Sequence, residues 1–442
     1  MNRRNNSRSA EERLSAAAPG IEQLDPRELT APARAESSPR ADAAPAAVDC
    51  RRSLMVTRDY FPPQVGGIST MMAEIAARLG PQRVSCLVGA PGASLQLAAA
   101  AGDVPVRVYR SAWPFSRNRL VKLAALGTVW ANVLLRERPD VLQFATCDDA
   151  YWGSYLHRLL GLPFIVYAHG NDILAAETAA WHGARTALSK AAVVLANSSY
   201  TAGLLKSRLG VRDERVRLLH PGCDTARFFP GEAHAEPFDD VPALRSAAPV
   251  LLTVGNLVER KGHDLVIKCL PELRKRWPDL RYVIVGDGPS RGSLAALAQL
   301  LGVPDAVCFV GRVSAERLPA FYRRCDVMVM PSRLRADRSD VEGFGIVFIE
   351  ANACGKPVIG GRSGGVEDAI LDGVTGFLVD PASIEDLTLR LQLLLSEKAL
   401  AARLGAQGAA RAAQELSWQA VAKRVGDIVD AVAERGADTR PS

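Results

Sequence analysis

At 442 residues the chain is too long for one ordinary core, and two domains are expected once flexible parts are set aside. With 48% hydrophobic and 23% charged residues the composition is that of a globular protein. The net charge of +6, with no long basic run and no aromatic–basic repeat, argues against a nucleic-acid partner and leaves an anionic membrane face or a phosphorylated ligand open.

No stretch approaches the roughly 20 apolar residues of a membrane span. No compact apolar segment follows a basic start, so no secretory signal is expected. The eight cysteines are scattered singly without a C-x-x-C pair, which reads as reduced core residues in a cytoplasmic protein.

Residues 1–52 are Ala-, Pro-, Ser-, Arg- and Glu-rich with few bulky apolar side chains, a composition that predicts a disordered tail. Order is expected from Ser53-Leu54-Met55-Val56-Thr57, a first strand. It leads through Asp59, Pro62-Pro63, Gln64 and the Gly66-Gly67 pair into a helix from Thr70 to Leu79, the opening of a βα unit.

Apolar runs at Val84–Gly89, Val104–Tyr109, Val141–Phe144, Phe164–Tyr167, Val193–Asn197 and Val216–Leu219 then alternate with helical stretches. Such alternation predicts a parallel sheet covered by helices, with functional loops at the carboxyl ends of its strands. Ala168-His169-Gly170-Asn171-Asp172 stands at one of those ends, where His169 is either crevice-facing or a hydrogen-bonded structural residue. The segment 113–122, from Trp113 to Lys122, mixes aromatic and basic residues ahead of an apolar helix, and fits either a membrane-surface contact or a solvated helix start.

Residues 231–248 lack periodicity and read as a linker between an amino-terminal domain at 53–230 and a second domain at 249–410. In that second domain strands are expected at Val250–Val254, Arg281–Val285, Val307–Val310, Asp326–Met330, Pro357–Ile359 and Gly376–Val379. Helices are expected from about 384 to 434, the last packing back toward the first domain.

Between strands stands Asp340-Val341-Glu342-Gly343-Phe344-Gly345-Ile346-Val347-Phe348-Ile349-Glu350. Its glycines leave bare amides where a helix would begin, at about Ile346, and the positive end of a helix attracts phosphate. Glu350 falls one turn inside that helix on the side of Ile346, so both carboxylates can border one small site. Taken alone the segment also fits a Gly-containing turn before a buried helix. Four further Gly-bearing loops follow strands of the same half: Gly255-Asn256 through Arg260-Lys261 to Asp264, Gly286-Asp287-Gly288-Pro289, Gly311-Arg312-Val313 and Ser363-Gly364-Gly365. Arg260 and Lys261 are suited to clamping a diphosphate.

These segments, in this order, together with Phe61 through Ser69 and His169-Gly170-Asn171-Asp172, resemble glycosyltransferase family 4 over most of residues 53–400. The nearest likeness is to actinobacterial phosphatidylinositol mannosyltransferases. The resemblance implies an α/β GT-B fold, two facing Rossmann-like domains, and a retaining transfer of a hexosyl group from a sugar nucleotide to a hydroxyl acceptor, with GDP-mannose as the first expectation.

It further implies Lys261, Glu342 and His169 as the catalytic set. Lys261 pairs with the donor diphosphate, Gly67 and the amides near Gly343, Phe344, Gly345 and Ile346 support it, and Glu350 holds the ribose. Asn256, Arg260 and Gly286 complete the phosphate side, backbone at Arg312 and Val313 faces the base, and Asp59, Gly66 and Gly67 face the acceptor. Two positions depart from the pattern: Asn256 replaces an arginine and Gln64 a basic residue, so Lys261, with Arg260, becomes the main cation.

No cofactor is expected, and no metal, although Asp340-Val341-Glu342 has the look of an acidic metal-binding triplet. A cytoplasmic location is expected, with peripheral contact at the inner membrane face left open. A UDP-glucose or UDP-N-acetylglucosamine transferase, a GT-B epimerase and a non-catalytic sugar-nucleotide-binding protein are the alternatives.

Overall fold

The structure, a computed structural model, describes residues 51–58, 66–89, 96–98, 106–116, 118–174, 181–231, 248–334 and 340–437, together with Phe238, Asp240, Val241 and Leu244. Residues 1–50 of the expected tail, Asp59 and Gln64 lie outside the described residues.

The first domain is built on β1 (Ser53–Thr57), β2 (Val84–Val88), β3 (Gln96–Ala98), β4 (Arg107–Arg110), β5 (Val141–Phe144), β6 (Phe164–Ala168), β7 (Val193–Ala196) and β8 (Val216–Leu218). These lie in the order β3-β4-β2-β1-β5-β6-β7-β8. All neighbours are parallel except β3 against β4. Every residue of β1, β2, β5, β6 and β7 is buried, which is why these strands read as continuous apolar runs rather than alternating ones. β3 was not expected, being too short to carry a pattern. β4 covers Arg107–Arg110, and the expected start at Val104 lies outside the described residues.

The second sheet contains β9 (Val250–Val254), β10 (Arg281–Val285), β11 (Val307–Gly311), β12 (Val327–Met330), β13 (Val358–Gly361) and β14 (Gly376–Val379). It is parallel throughout, in the order β11-β10-β9-β12-β13-β14. In each sheet the strand order reverses once about its first strand, between β1 and β5 and between β9 and β12. A parallel sheet splits open at such a point, and its loops there border a crevice.

The helices Ile384–Ser396 and Lys398–Gln414 cover the second sheet, and the last helix, Trp418–Ala437, returns to the first domain. There Trp418, Val421, Val425, Val429 and Val432 share one core with Met71, Met72 and Ile75 of the helix Gly67–Leu79. Arg83 fastens the return by donating to Asp430 at 2.5 Å and to the Gly426 carbonyl at 3.2 Å.

The two crossings between domains run side by side. The Cys223 N–H donates to the Leu416 carbonyl at 2.8 Å, and the Trp418 N–H donates to the Cys223 carbonyl at 3.1 Å. In the described part of 231–248, Phe238, Val241 and Leu244 are buried, Phe238 lying 5.2 Å from Phe321 ring to ring. This stretch therefore packs on the second domain.

Candidate active site

The loop leaving β9 and the loop before the helix Ile346–Ala353 meet beside the reversal point of the second sheet. Lys261 Nζ lies 2.5 Å from Glu342 Oε2, Arg260 Nη1 lies 2.7 Å from the same oxygen, and Arg260 Nε lies 2.9 Å from Asp340 Oδ1. These side chains are largely withdrawn from water: 16% of Arg260, 12% of Lys261 and 13% of Glu342 remain exposed. Burial pushes the Glu342 carboxyl up, but Lys261 and Arg260 outweigh it and hold the group below the usual carboxylate range.

Glycines make this approach possible. Gly255 takes φ 152°, a backbone conformation that side-chain-bearing residues rarely adopt, and a Cβ on Gly286 would stand 2.0 Å from the Gly255 carbonyl oxygen. Beneath them His263 is buried, contacting Tyr282 through Nδ1 at 3.2 Å and the Asn256 carbonyl through Nε2 at 3.4 Å. Burial pulls its pKa to about 4, so it adds no charge below Lys261 at neutral pH. The Asn256 residue itself is exposed, as is Arg312, while Val313 packs on the second core.

Two helix starts face each other across the cleft. Ile346–Ala353 follows Gly345 at φ 99°, and Gly67–Leu79 follows Gly66; neither has a side-chain cap. A Cβ on Gly67 would lie 4.0 Å from Ile346 Cδ1. Unbonded N–H groups of two helices thus open toward one space, each carrying the partial positive charge of its dipole. Phe344 is buried below, its ring 5.3 Å from that of His220.

The first domain closes the other side. His169 Nε2 lies 2.8 Å from the Ala145 carbonyl oxygen, which can only accept, so Nε2 is the donor. A Cβ on Gly343 would stand 2.6 Å from the His169 carbonyl oxygen. Asn171 spans the gap: its Nδ2 donates to Asp340 Oδ1 at 3.1 Å, and its Oδ1 accepts from the Val341 N–H at 2.9 Å. Val341 is buried in the core of the first domain. Gly364 and Gly365 brace the acidic loop from behind, the Gly365 N–H donating to the Glu342 carbonyl at 2.9 Å. Ser199, at the start of the helix Ser199–Leu209, donates through Oγ to Asp368 at 2.9 Å.

Lys261, Arg260, Glu342, Gly343, Gly345, Ile346, Gly67 and His169 are therefore gathered about one cleft. Glu350 has a separate partner, accepting from the buried Tyr322 hydroxyl at 2.8 Å. Tyr322 and Asp368 were not singled out from the sequence, and Asn171 was named only within the segment His169-Gly170-Asn171-Asp172, without a role. Asn171 stands two residues after His169, which was a usable signal; no local pattern marks the other two.

Burial pushes the Glu350 carboxyl up to about 7, against the hydrogen bond from Tyr322 and the charge of Arg227. The folded protein then holds a proton that the unfolded chain has released, so this group lowers stability progressively as pH rises from its ordinary 4.5 to about 7. Glu350→Gln, which cannot ionise, should melt higher than the parent at pH 8, and the advantage should shrink toward pH 5. A melting difference independent of pH over that range would contradict the assignment.

The fold and the cleft define the class: a two-domain GT-B transferase. Sucrose-phosphate synthase from Thermosynechococcus elongatus superposes with a TM-score of 0.70 at 21% identity, covering 87% of this chain and all of that one. Anabaena Alr3699/HepE in complex with UDP superposes at 0.68 with 21% identity, covering 86% and 100%.

Residues 65–227 match the family model for Glycosyltransferase Family 4, and residues 236–411 that for Glycosyl transferases group 1. The chain is 33% identical over 387 residues to the GDP-mannose-dependent alpha-(1-6)-phosphatidylinositol monomannoside mannosyltransferase of Mycolicibacterium smegmatis, covering 85% of this chain and 97% of that protein. It is 30% identical over 393 residues to the corresponding monoacylated-acceptor enzyme of Corynebacterium glutamicum, covering 86% and 98%. The chain belongs to glycosyltransferase family 4 and is a glycosyltransferase.

Proposed function

We propose that the protein transfers mannose from GDP-mannose, with retention, to a hydroxyl of a phosphatidylinositol-mannoside-type lipid at the inner membrane face. The observation that carries the donor half is the convergence of Lys261 with two uncapped helix starts, Gly67 and Ile346, on one cleft. A diphosphate placed there meets one full cation and two dipole ends. As the glycosyl–phosphate bond breaks, negative charge builds on the leaving oxygen, and these groups stabilise it without rearranging. Glu342 gives up Lys261 to the diphosphate and faces the transferred sugar, which gathers positive character; His169 approaches that sugar from the first domain. Glu350 receives the ribose hydroxyls, and the leaving phosphate takes the acceptor proton on the same face.

No cofactor is invoked, and the donor step is assigned without a metal because Asp340 and Glu342 are already matched by Arg260 and Lys261. The acceptor half is supported by the names of the relatives and by an apolar rim on the first domain. Leu120 and Leu123, on one helix beside Lys122, and Leu135, on the helix Ala131–Glu137 beside Arg136, are between 65% and 76% exposed. Such a face suits an anionic bilayer.

Thermal melting with GDP-mannose, UDP-glucose and UDP-N-acetylglucosamine tests the donor. A ligand at 100 times its Kd stabilises by about 2.7 kcal/mol, and GDP-mannose should give the largest shift. Transfer to a phosphatidylinositol mannoside in EDTA, with the product anomer assigned by NMR, tests the rest. A larger shift with either UDP-sugar removes the donor assignment, and an inverted anomer removes retention.

A further inference from the structure

One residue that spans the cleft has no part in the donor chemistry above: Asn171. It stands in a rigid turn, where Gly170 before it takes φ 91° and the Asp172 carboxylate after it accepts from the His169 N–H at 3.0 Å. Both ends of its amide meet the acidic loop. The Val341 N–H can only donate, so the atom 2.9 Å from it is Oδ1, and Nδ2 is thereby the donor to Asp340 Oδ1 at 3.1 Å.

The same Asp340 oxygen lies 2.9 Å from Arg260 Nε, yet the two are not aligned: the buried Nε–H has no hydrogen-bonded acceptor among the described residues. A buried donor beside a carboxylate gains a charge-assisted bond as soon as the carboxylate turns toward it. The competing donor at that oxygen is Asn171 Nδ2. The backbone cannot yield in place of the side chain, since Val341 is buried in the core of the first domain and its N–H is held by Asn171 Oδ1. Arg260 is also what loosens Glu342 from Lys261. Both cations contact Glu342 Oε2, at 2.7 and 2.5 Å, so their mutual repulsion weakens the hold of each. With Arg260 turned wholly to Asp340, Glu342 would be left to Lys261 alone, and Lys261 would be harder for a diphosphate to take.

We infer that Asn171 is a positioning residue of the donor site: by holding the Asp340 carboxylate out of line with Arg260, it keeps Arg260 on Glu342 and so keeps Lys261 available to the donor diphosphate. The first domain thereby sets donor affinity through a residue that acts on Asp340 rather than on the donor. This rests on the donor reading above and adds to it a residue whose effect precedes the donor's arrival. An effect confined to the donor-free protein belongs in binding and not in kcat.

Calorimetric titration of GDP into the full chain tests this, with melting curves as a check on folding. Asn171→Ala should weaken GDP about fivefold, the size of a coupling between neighbours in one polar network. With GDP-mannose as substrate the loss should appear in the donor KM rather than in kcat. In an Asp340→Asn background, where no carboxylate competes for Arg260, the same substitution should cost no GDP affinity. Asn171→Asp added to Asp340→Asn exchanges donor and acceptor at constant net charge, and should bind GDP no more weakly than Asp340→Asn alone.

GDP bound as tightly by Asn171→Ala as by the parent overturns the inference. So does an equal loss in both backgrounds, which would leave Asn171 only a prop for the Val341 backbone. A fall in kcat with GDP affinity kept would place the effect on His169, two residues away, and overturns it too. Failure of the donor reading looks different: GDP would then bind the parent no better than it binds Lys261→Ala, whatever residue 171 carries, which removes the inference with it.

Discussion

Lys261→Ala is expected to lower kcat by about 10²–10³-fold, the usual loss when a preorganised electrostatic partner of a developing charge is removed. KM for the donor should rise as well, because the diphosphate is charged before the reaction begins. The structure sharpens this expectation, since Asn256 is exposed and uncharged and the other nearby cation, Arg260, is shared between Asp340 and Glu342. The fold should survive, because Glu342 keeps Arg260 as a partner at 2.7 Å. Steady-state kinetics beside a melting curve separate the two effects. A correctly folded variant within about threefold of the parent would show that the diphosphate is neutralised elsewhere.

Glu342→Gln is expected to lower kcat by about 10²-fold while leaving GDP binding as tight as before or tighter. The two parts have different origins. The fall in kcat follows from losing a carboxylate beside a sugar that becomes cationic only as the reaction proceeds. The retained affinity follows from the ion pairs: Glu342 occupies both Lys261 and Arg260 before a donor arrives, and is in that sense its competitor. Calorimetric titration of GDP against both proteins, with turnover measured alongside, decides the matter. Weaker GDP binding with unchanged turnover would make Glu342 a structural brace for the acidic loop.

Much of the fold was legible because strands buried on both faces leave uninterrupted apolar runs. β1, β5, β9, β10 and β14 fall at the expected residues. Glycine gave away the second half of the site for a related reason: the contacts at Gly286 and Gly365 leave no space for a side chain, so the residue type records the close approach. Pairs made between distant elements left no such record. Nothing near Glu350 announces that Tyr322 lies against it, and nothing near Ser199 points to Asp368. The segment 231–248 reads as a linker by composition, yet Phe238, Val241 and Leu244 recur every third residue, and this spacing is what anchors it.

The return of the final helix to the first domain also bears on how the protein is made. Residues 53–219 leave the ribosome with one face of their sheet only partly covered by the helix Gly67–Leu79, since the other side chains that complete that core belong to residues 418–433. At 5–20 residues per second the wait is roughly 10–40 s, long enough for chaperones to engage the exposed methionines and valines. The second domain, finished first apart from its neighbour's missing helix, then serves as the tether that delivers it. A chain cut short before Trp418 would leave that face permanently open, so quality control of this protein is weighted toward its last twenty-odd residues.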